Sequence, residues 1–156
     1  PEPEDTGHAD RRDQEEHETY QPTSKEVKRD WHLIDAKGEI LGRFSSHIAS
    51  LLMGKRKSVY STHMDMGDFV VVVNAEKVKV TGKKALQKVY RGHSGYPGGF
   101  KEVSYEKMLH EHPQRIIEHA VFGMLPDNKL RKNRMTRLKV IVGDKNPYED
   151  KIRKEN

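Results

Sequence analysis

The sequence predicts an α/β domain that opens with a strand-helix-strand unit and follows an acidic leader. Three observations predict it. Trp31-His-Leu-Ile-Asp35 reads as a short strand, apolar residues recur at helical spacing through 40–53, and Phe69-Val-Val-Val-Val73 is a continuous β-branched run. An unbroken apolar strand is the pattern of one covered on both faces. Strand, helix and buried strand within about 45 residues fit a single right-handed crossover.

The first strand closes in the turn-prone Ala36-Lys-Gly38. The helix then puts Ile40, Leu41, Phe44, Ile48, Leu51 and Leu52 on one face, leaving Arg43, Ser46, His47 and Ser50 on the others. Gly54 stops it in the left-handed capping position. Lys55, Arg56 and Lys57 follow where the helix dipole favours cations. After the buried strand, Val78, Val80 and Val89-Tyr90 suggest further short strand pieces, with Thr81-Gly-Lys-Lys84 as the turn between them. Gly92 to Gly99 reads as an open loop. Two helices are expected next. The first covers about 104–111 with Tyr105, Met108 and Leu109 on one side. The second starts at Pro113, a favoured first-turn residue, and buries Ile116, Ile117, Ala120, Val121 and Met124. A basic stretch from Lys129 to Arg137 leads to a last strand at Leu138–Val142, and the rest is polar.

Charge divides the chain in two. Of 156 residues, 33% are hydrophobic and 34% charged, with a net charge of +5 and a pI of about 9.3. The apolar share predicts a modest core. Residues 1–30 hold five basic and ten acidic residues, so the remainder holds 24 basic and 14 acidic, a net of +10. A surplus of that size on one domain is the electrostatic footprint of phosphate binding. The leader has almost no large apolar side chains and is expected to be disordered. Its acids and its lack of an apolar core argue against a transit or signal peptide. Cysteine is absent, which excludes a disulfide frame and thiolate metal sites. No apolar run approaches the roughly 18–20 residues of a membrane span.

Four basic clusters stand out: Lys55-Arg56-Lys57; Lys83-Lys84 with Lys88 and Arg91; Lys129, Arg131, Lys132 and Arg134; and Arg137 with Lys139. Most follow a glycine or proline break, and loop-borne cations can conform to irregular folded RNA. The glycines of the 92–99 loop would permit close approach to RNA, with Arg91, His93 and Ser94 offering phosphate or 2′-hydroxyl contacts. No aromatic stacking platform is evident, so recognition of RNA shape is expected to dominate. Enzymatic patterns fail on inspection. The 92–99 loop lacks the Walker pattern. Asp68, His93 and Ser94 supply triad residue types without a nucleophile elbow. His110 and His112 are two apart, where a zinc helix needs four. His8 and His17 read as surface residues. Catalytic residues, metal ligands and cofactors are therefore not expected.

Several of these segments together resemble one family. Trp31-His-Leu-Ile-Asp-Ala-Lys-Gly-Glu-Ile-Leu-Gly-Arg43, Met66 to Lys84, Arg91-Gly-His-Ser-Gly-Tyr-Pro-Gly-Gly99, and above all Val121-Phe-Gly-Met-Leu-Pro126 with Asn128, Leu138-Lys-Val140 and Gly143 are similar to large-subunit ribosomal protein L-thirteen of the bacterial and organellar type. The resemblance covers about 31–148, in order and spacing. It implies a three-layer α/β/α domain around a mostly parallel four-stranded sheet; the residues themselves put an acidic N-terminal extension at 1–30 before it and a polar tail at 149–156 after it. It also implies a structural constituent of the large ribosomal subunit that binds 23S-type rRNA and supports early assembly, beside neighbouring ribosomal proteins, with no membrane or small-molecule partner. Carried onto this sequence, the RNA contacts it implies are Arg43, Lys55, Arg56, Lys57, Lys83, Lys84, Lys88, Arg91, His93, Ser94, Arg131, Lys132 and Arg134, and the clusters add Lys129 and Arg137. Gly123-Met-Leu-Pro126 is expected as a turn presenting the basic segment. The acidic leader departs from the family, as does the more basic Asn128-Lys-Leu-Arg-Lys132. The expected setting is the cytoplasm, in a bacterial ribosome, with a mitochondrial or plastid ribosome as the alternative. The rival functions are a free RNA-binding translational regulator and an α/β nucleotide-utilising enzyme.

Overall fold

A computed structural model describes residues 22–153. The expected disorder of residues 1–21 lies outside the described residues. From 22 to 30 the chain is tied to the body instead of hanging free: Lys28 offers its carbonyl to Lys57 Nζ, and the Asp30 N–H donates to Asp68 Oδ1 at 3.0 Å.

The expected strand-helix-strand unit is present. Strand β1 is Trp31–Asp35, helix α1 is Leu41–Met53 and strand β2 is Phe69–Val73. β1 and β2 pair in parallel from Trp31 opposite Phe69 to Asp35 opposite Val73. Strand β5, Leu138–Val140, pairs in parallel with the other side of β2, so β2 is central. Val70, Val71 and Val72 are fully buried, which is why this strand reads as an unbroken apolar run.

α1 packs Leu41, Phe44, Ile48 and Leu52 into the core, and Gly54 ends it in the left-handed region at φ 76°. A Cβ there would stand 2.7 Å from the Met66 carbonyl oxygen, so both the cap and the close approach need glycine. The start of α1 is held from outside: the Leu41 N–H donates to the Lys79 carbonyl at 2.8 Å, and Lys79 N–H to Glu39 at 2.9 Å.

Among the described residues the parallel sheet has three strands and not the four anticipated. Val78 and Val80 flank a single isolated bridge between Ile40 and Lys79, because this segment serves the α1 entry. The 81–104 region is also richer than expected. A short helix α2, Lys84–Gln87, precedes β3, Val89–His93, which runs antiparallel to β4, Phe100–Ser104, in a separate two-stranded sheet. The open loop is thus the tip of a hairpin. Val89-Tyr90, expected as a strand piece, opens β3, while the rest of the hairpin is exposed and interrupted by glycine and gave no period-2 signal.

Helices α3, Tyr105–Glu111, and α4, Pro113–Met124, fall where expected, with Ser104 capping α3 through Lys107 N–H. Ile116, Ile117 and Val121 are buried against α1, but Ala120 is half-buried and Met124 is 40% exposed at the helix end. Two more helices were missed besides α2. α5, Leu130–Thr136, occupies the basic stretch, and α6, Glu149–Arg153, lies in the supposed tail. α6 sits beside β1, where Lys151 Nζ lies 5.1 Å from the centre of the Trp31 ring, itself stacked on Phe69 at 4.4 Å. β5 ends two residues earlier than expected. Among the described residues no helix is long and apolar enough to cross a membrane.

Candidate nucleic-acid interface

Burial sorts the basic residues into those that hold the fold and those that face solvent. Arg134 and Arg137, both expected at the RNA, belong to the first kind: at 1% and 4% exposed they offer little surface to a partner. Arg137 grips Asp65 with both terminal nitrogens, Nη2 to Oδ1 at 2.6 Å, and Nη2 also donates to the Leu52 carbonyl at 3.2 Å. Arg134 Nε stands 3.6 Å from Asp65 Oδ1, and Arg29 Nη2 donates to the Asp65 backbone carbonyl at 3.3 Å. Desolvation alone would raise the Asp65 pKa, but the Arg137 hydrogen bonds and the charges of Arg137, Arg29 and Arg134 hold it below the usual carboxylate value. A guanidinium fork matches a carboxylate, so these arginines are committed internally.

Lys57 and Arg131 are likewise engaged. Lys57 Nζ is bound to Asp68 and to the Lys28 carbonyl, and Asp68, 4% exposed, also meets His32 Nε2 at 3.1 Å. Asp68 therefore pairs with Lys57 and His32, while His93 and Ser94 stand on the hairpin. Arg131 donates from Nε to Pro126 O at 3.1 Å and from Nη2 to Leu125 O at 3.0 Å, pairs with Asp127, and lies 4.6 Å over the Phe122 ring. It fastens the turn between α4 and α5, while Asn128 Oδ1 accepts the Leu130 and Arg131 amides.

The others stay accessible. Arg43, Lys55, Arg56, Lys83, Lys84, Arg91, His93, Ser94, Lys129 and Lys132 are exposed, and Lys88 is half-buried. Arg43, Lys84 and Lys88 come from separate stretches and line one groove, with Ile40, Leu41, Val80 and Thr81 along it and Ala120 and Met124 closing it. α1 begins at this groove with no acidic residue in its first turn and no side-chain cap, so its positive end adds to the field. Desolvation, with the charge of Lys84 beside it, lowers the Lys88 pKa, as expected where cations crowd without an acid to pair them. Lys88 Nζ lies 5.2 Å from the Tyr90 ring centre. Burial, with Tyr105 nearby, pushes the Tyr90 hydroxyl up to about 12. Lys55 and Arg56 lie past the far end of α1, roughly 20 Å away at 1.5 Å per residue.

The hairpin carries the remaining site residues. Arg91 Nε is paired across it with Glu102 at 2.7 Å yet stays 70% exposed, and His93 Nδ1 accepts the Gly95 N–H at 2.9 Å. Sequence reasoning missed Lys101, exposed on β4, and the exposed rings Tyr96 and Phe100. Their signal was composition alone: aromatic residues in a glycine-rich stretch with no buried partner to expect.

Comparison with known proteins agrees with this picture. The family described as Ribosomal protein L13 matches residues 29–147. The chain is 52% identical over 137 residues to the large ribosomal subunit protein uL13 of Trichormus variabilis, covering 88% of this chain and 91% of that one. It is 53% identical over 125 residues to the uL13 of Clostridioides difficile, covering 80% and 87%. Against the uL13 of a Roseiflexus species it is 48% identical over 130 residues, covering 83% and 89%.

Proposed function

The chain belongs to the ribosomal protein L13 family, and we propose that it clamps 23S-type rRNA by its phosphates through the solvent-facing cations described above. It is a structural constituent of the large ribosomal subunit and not an enzyme, with rRNA and other ribosomal proteins as partners. The observation that carries the clamp is the convergence of Arg43, Lys84 and Lys88, from the start of α1, the start of α2 and the residue before β3, on one groove. Such an arrangement neutralises phosphates from strands that approach one another, which positions RNA without reading its sequence. Lys83, Arg91, His93 and Ser94 extend the contact along the hairpin, and Lys55, Arg56, Lys129 and Lys132 provide further cations away from it.

In this reading, helices cover the parallel sheet on both faces as a three-layer scaffold, supported by the full burial of Val70, Val71 and Val72. Residues 1–30 supply an acidic leader, of which 22–30 is fastened to the body, and early binding assists subunit assembly. The bacterial relatives favour a bacterial ribosome as the setting, in the cytoplasm. An epitope-tagged chain should cosediment with large subunits and remain on them through a high-salt wash. Recovery in slow-sedimenting fractions on messenger RNA would favour a free regulator instead.

A further inference from the structure

We infer that the β3–β4 hairpin stacks its exposed rings, Tyr96 and Phe100, on unpaired RNA bases, giving this surface a means of recognising single-stranded RNA beyond phosphate clamping. The inference rests on the RNA-binding reading above and deepens it. Tyr96 is 75% and Phe100 58% exposed, whereas Phe44 and Tyr105 are 4% exposed and Trp31 is stacked on Phe69. Phe122, also exposed, lies under the Arg131 guanidinium. Tyr96 and Phe100 have no such cover among the described residues.

The tip that carries them is closed by its own backbone. Ser94 N–H donates to Gly99 O at 3.1 Å and Gly99 N–H to Tyr96 O at 2.9 Å, while Gly95 N–H is held by His93. A ring on a pre-closed turn loses little freedom when it meets a flat partner. The surroundings identify that partner by charge: residues 81–104 hold five basic residues against one acidic, and that acid, Glu102, is paired with Arg91. A polyanion with free π faces fits, and RNA offers those faces in loops and bulges, since a duplex buries them.

The test is binding of a fluorescein-labelled oligoadenylate of about 12 nucleotides, near the top of the range for single-strand sites, against an RNA duplex of the same length. The variants are Tyr96→Ala, Phe100→Ala, Phe100→Leu and, as a charge control, Lys83→Ala with Lys84→Ala. Each aromatic variant should bind the single strand about tenfold more weakly, the scale of a single ring-on-base stack, with its salt slope and duplex binding unchanged. Phe100→Leu should behave as Phe100→Ala, because it keeps the apolar bulk and loses the ring. The charge control should weaken both RNAs and flatten the slope. Aromatic variants that bind the oligoadenylate as the unaltered chain does, while the charge control is impaired, would overturn the stacking inference and leave the clamp standing. Variants normal on both RNAs but lost from reconstituted large subunits would mean that the rings meet a protein, and would overturn it too. If the charge control is also without effect, the clamp itself fails.

Discussion

Asp65 stands among three guanidinium groups, those of Arg29, Arg134 and Arg137, and its folded pKa lies below the ordinary value. The unfolded chain therefore binds this proton more readily than the folded one. The stability the group contributes is full above the unfolded pKa, near 4, and is lost as pH falls through the folded value. Asp65→Asn should cost about 3 kcal/mol at neutral pH in urea denaturation, because it leaves buried arginines without their carboxylate. Its stability should also decline less steeply than that of the unaltered chain as pH drops below about 4. Asp35, whose pKa the Lys37 N–H and Asn74 also lower, would account for part of the remaining slope. Gly67 is the backbone counterpart of this hub. A Cβ there would run into the Leu52 carbonyl and crowd the Arg137 guanidinium, so Gly67→Ala should fail to fold, read as lost cooperative melting. None of this was legible in the sequence. Asp65 and Arg137 are 72 positions apart, and a lone acid before a strand carries no local pattern.

At the scale of elements, legibility followed hydrophobic periodicity. β2 and α1 announce themselves because Val70 to Val72 are all buried and because Leu41, Phe44, Ile48 and Leu52 share one face. Val72→Asp should abolish folding, since a charge in a strand covered on both faces finds neither water nor a partner. α5 stayed hidden because its inward face is carried partly by Arg134, a residue that pattern reading assigns to solvent. The cluster after α1 divides in the same way. Lys55→Ala with Arg56→Ala should weaken RNA binding and leave melting unchanged. Lys57→Ala should lower thermal stability, because Asp68 then loses its cation. In the groove, changing Arg43, Lys84 and Lys88 together to Ala should reduce the slope of log affinity against log salt by about 2–3, near 0.9 for each phosphate no longer neutralised. An unchanged slope would remove the groove from the interface.

For the whole molecule, charge composition pointed to the function well but did not tell exposed cations from internal ones. The +10 of the body is a true surplus, yet Arg134 and Arg137 are buried and Lys57 and Arg131 are bound internally. Net charge counts every cation, whereas only the unpaired, exposed ones can release counterions from RNA. Those remaining lie at both ends of α1, around α2, along the hairpin and on α5, a spread suited to several phosphate strands. The most direct measurement is a salt titration of the full chain on large-subunit rRNA. With six to ten phosphates neutralised, affinity should fall by roughly 10³–10⁵ between 50 and 200 mM salt. An affinity that stays level across that range would contradict the phosphate clamp.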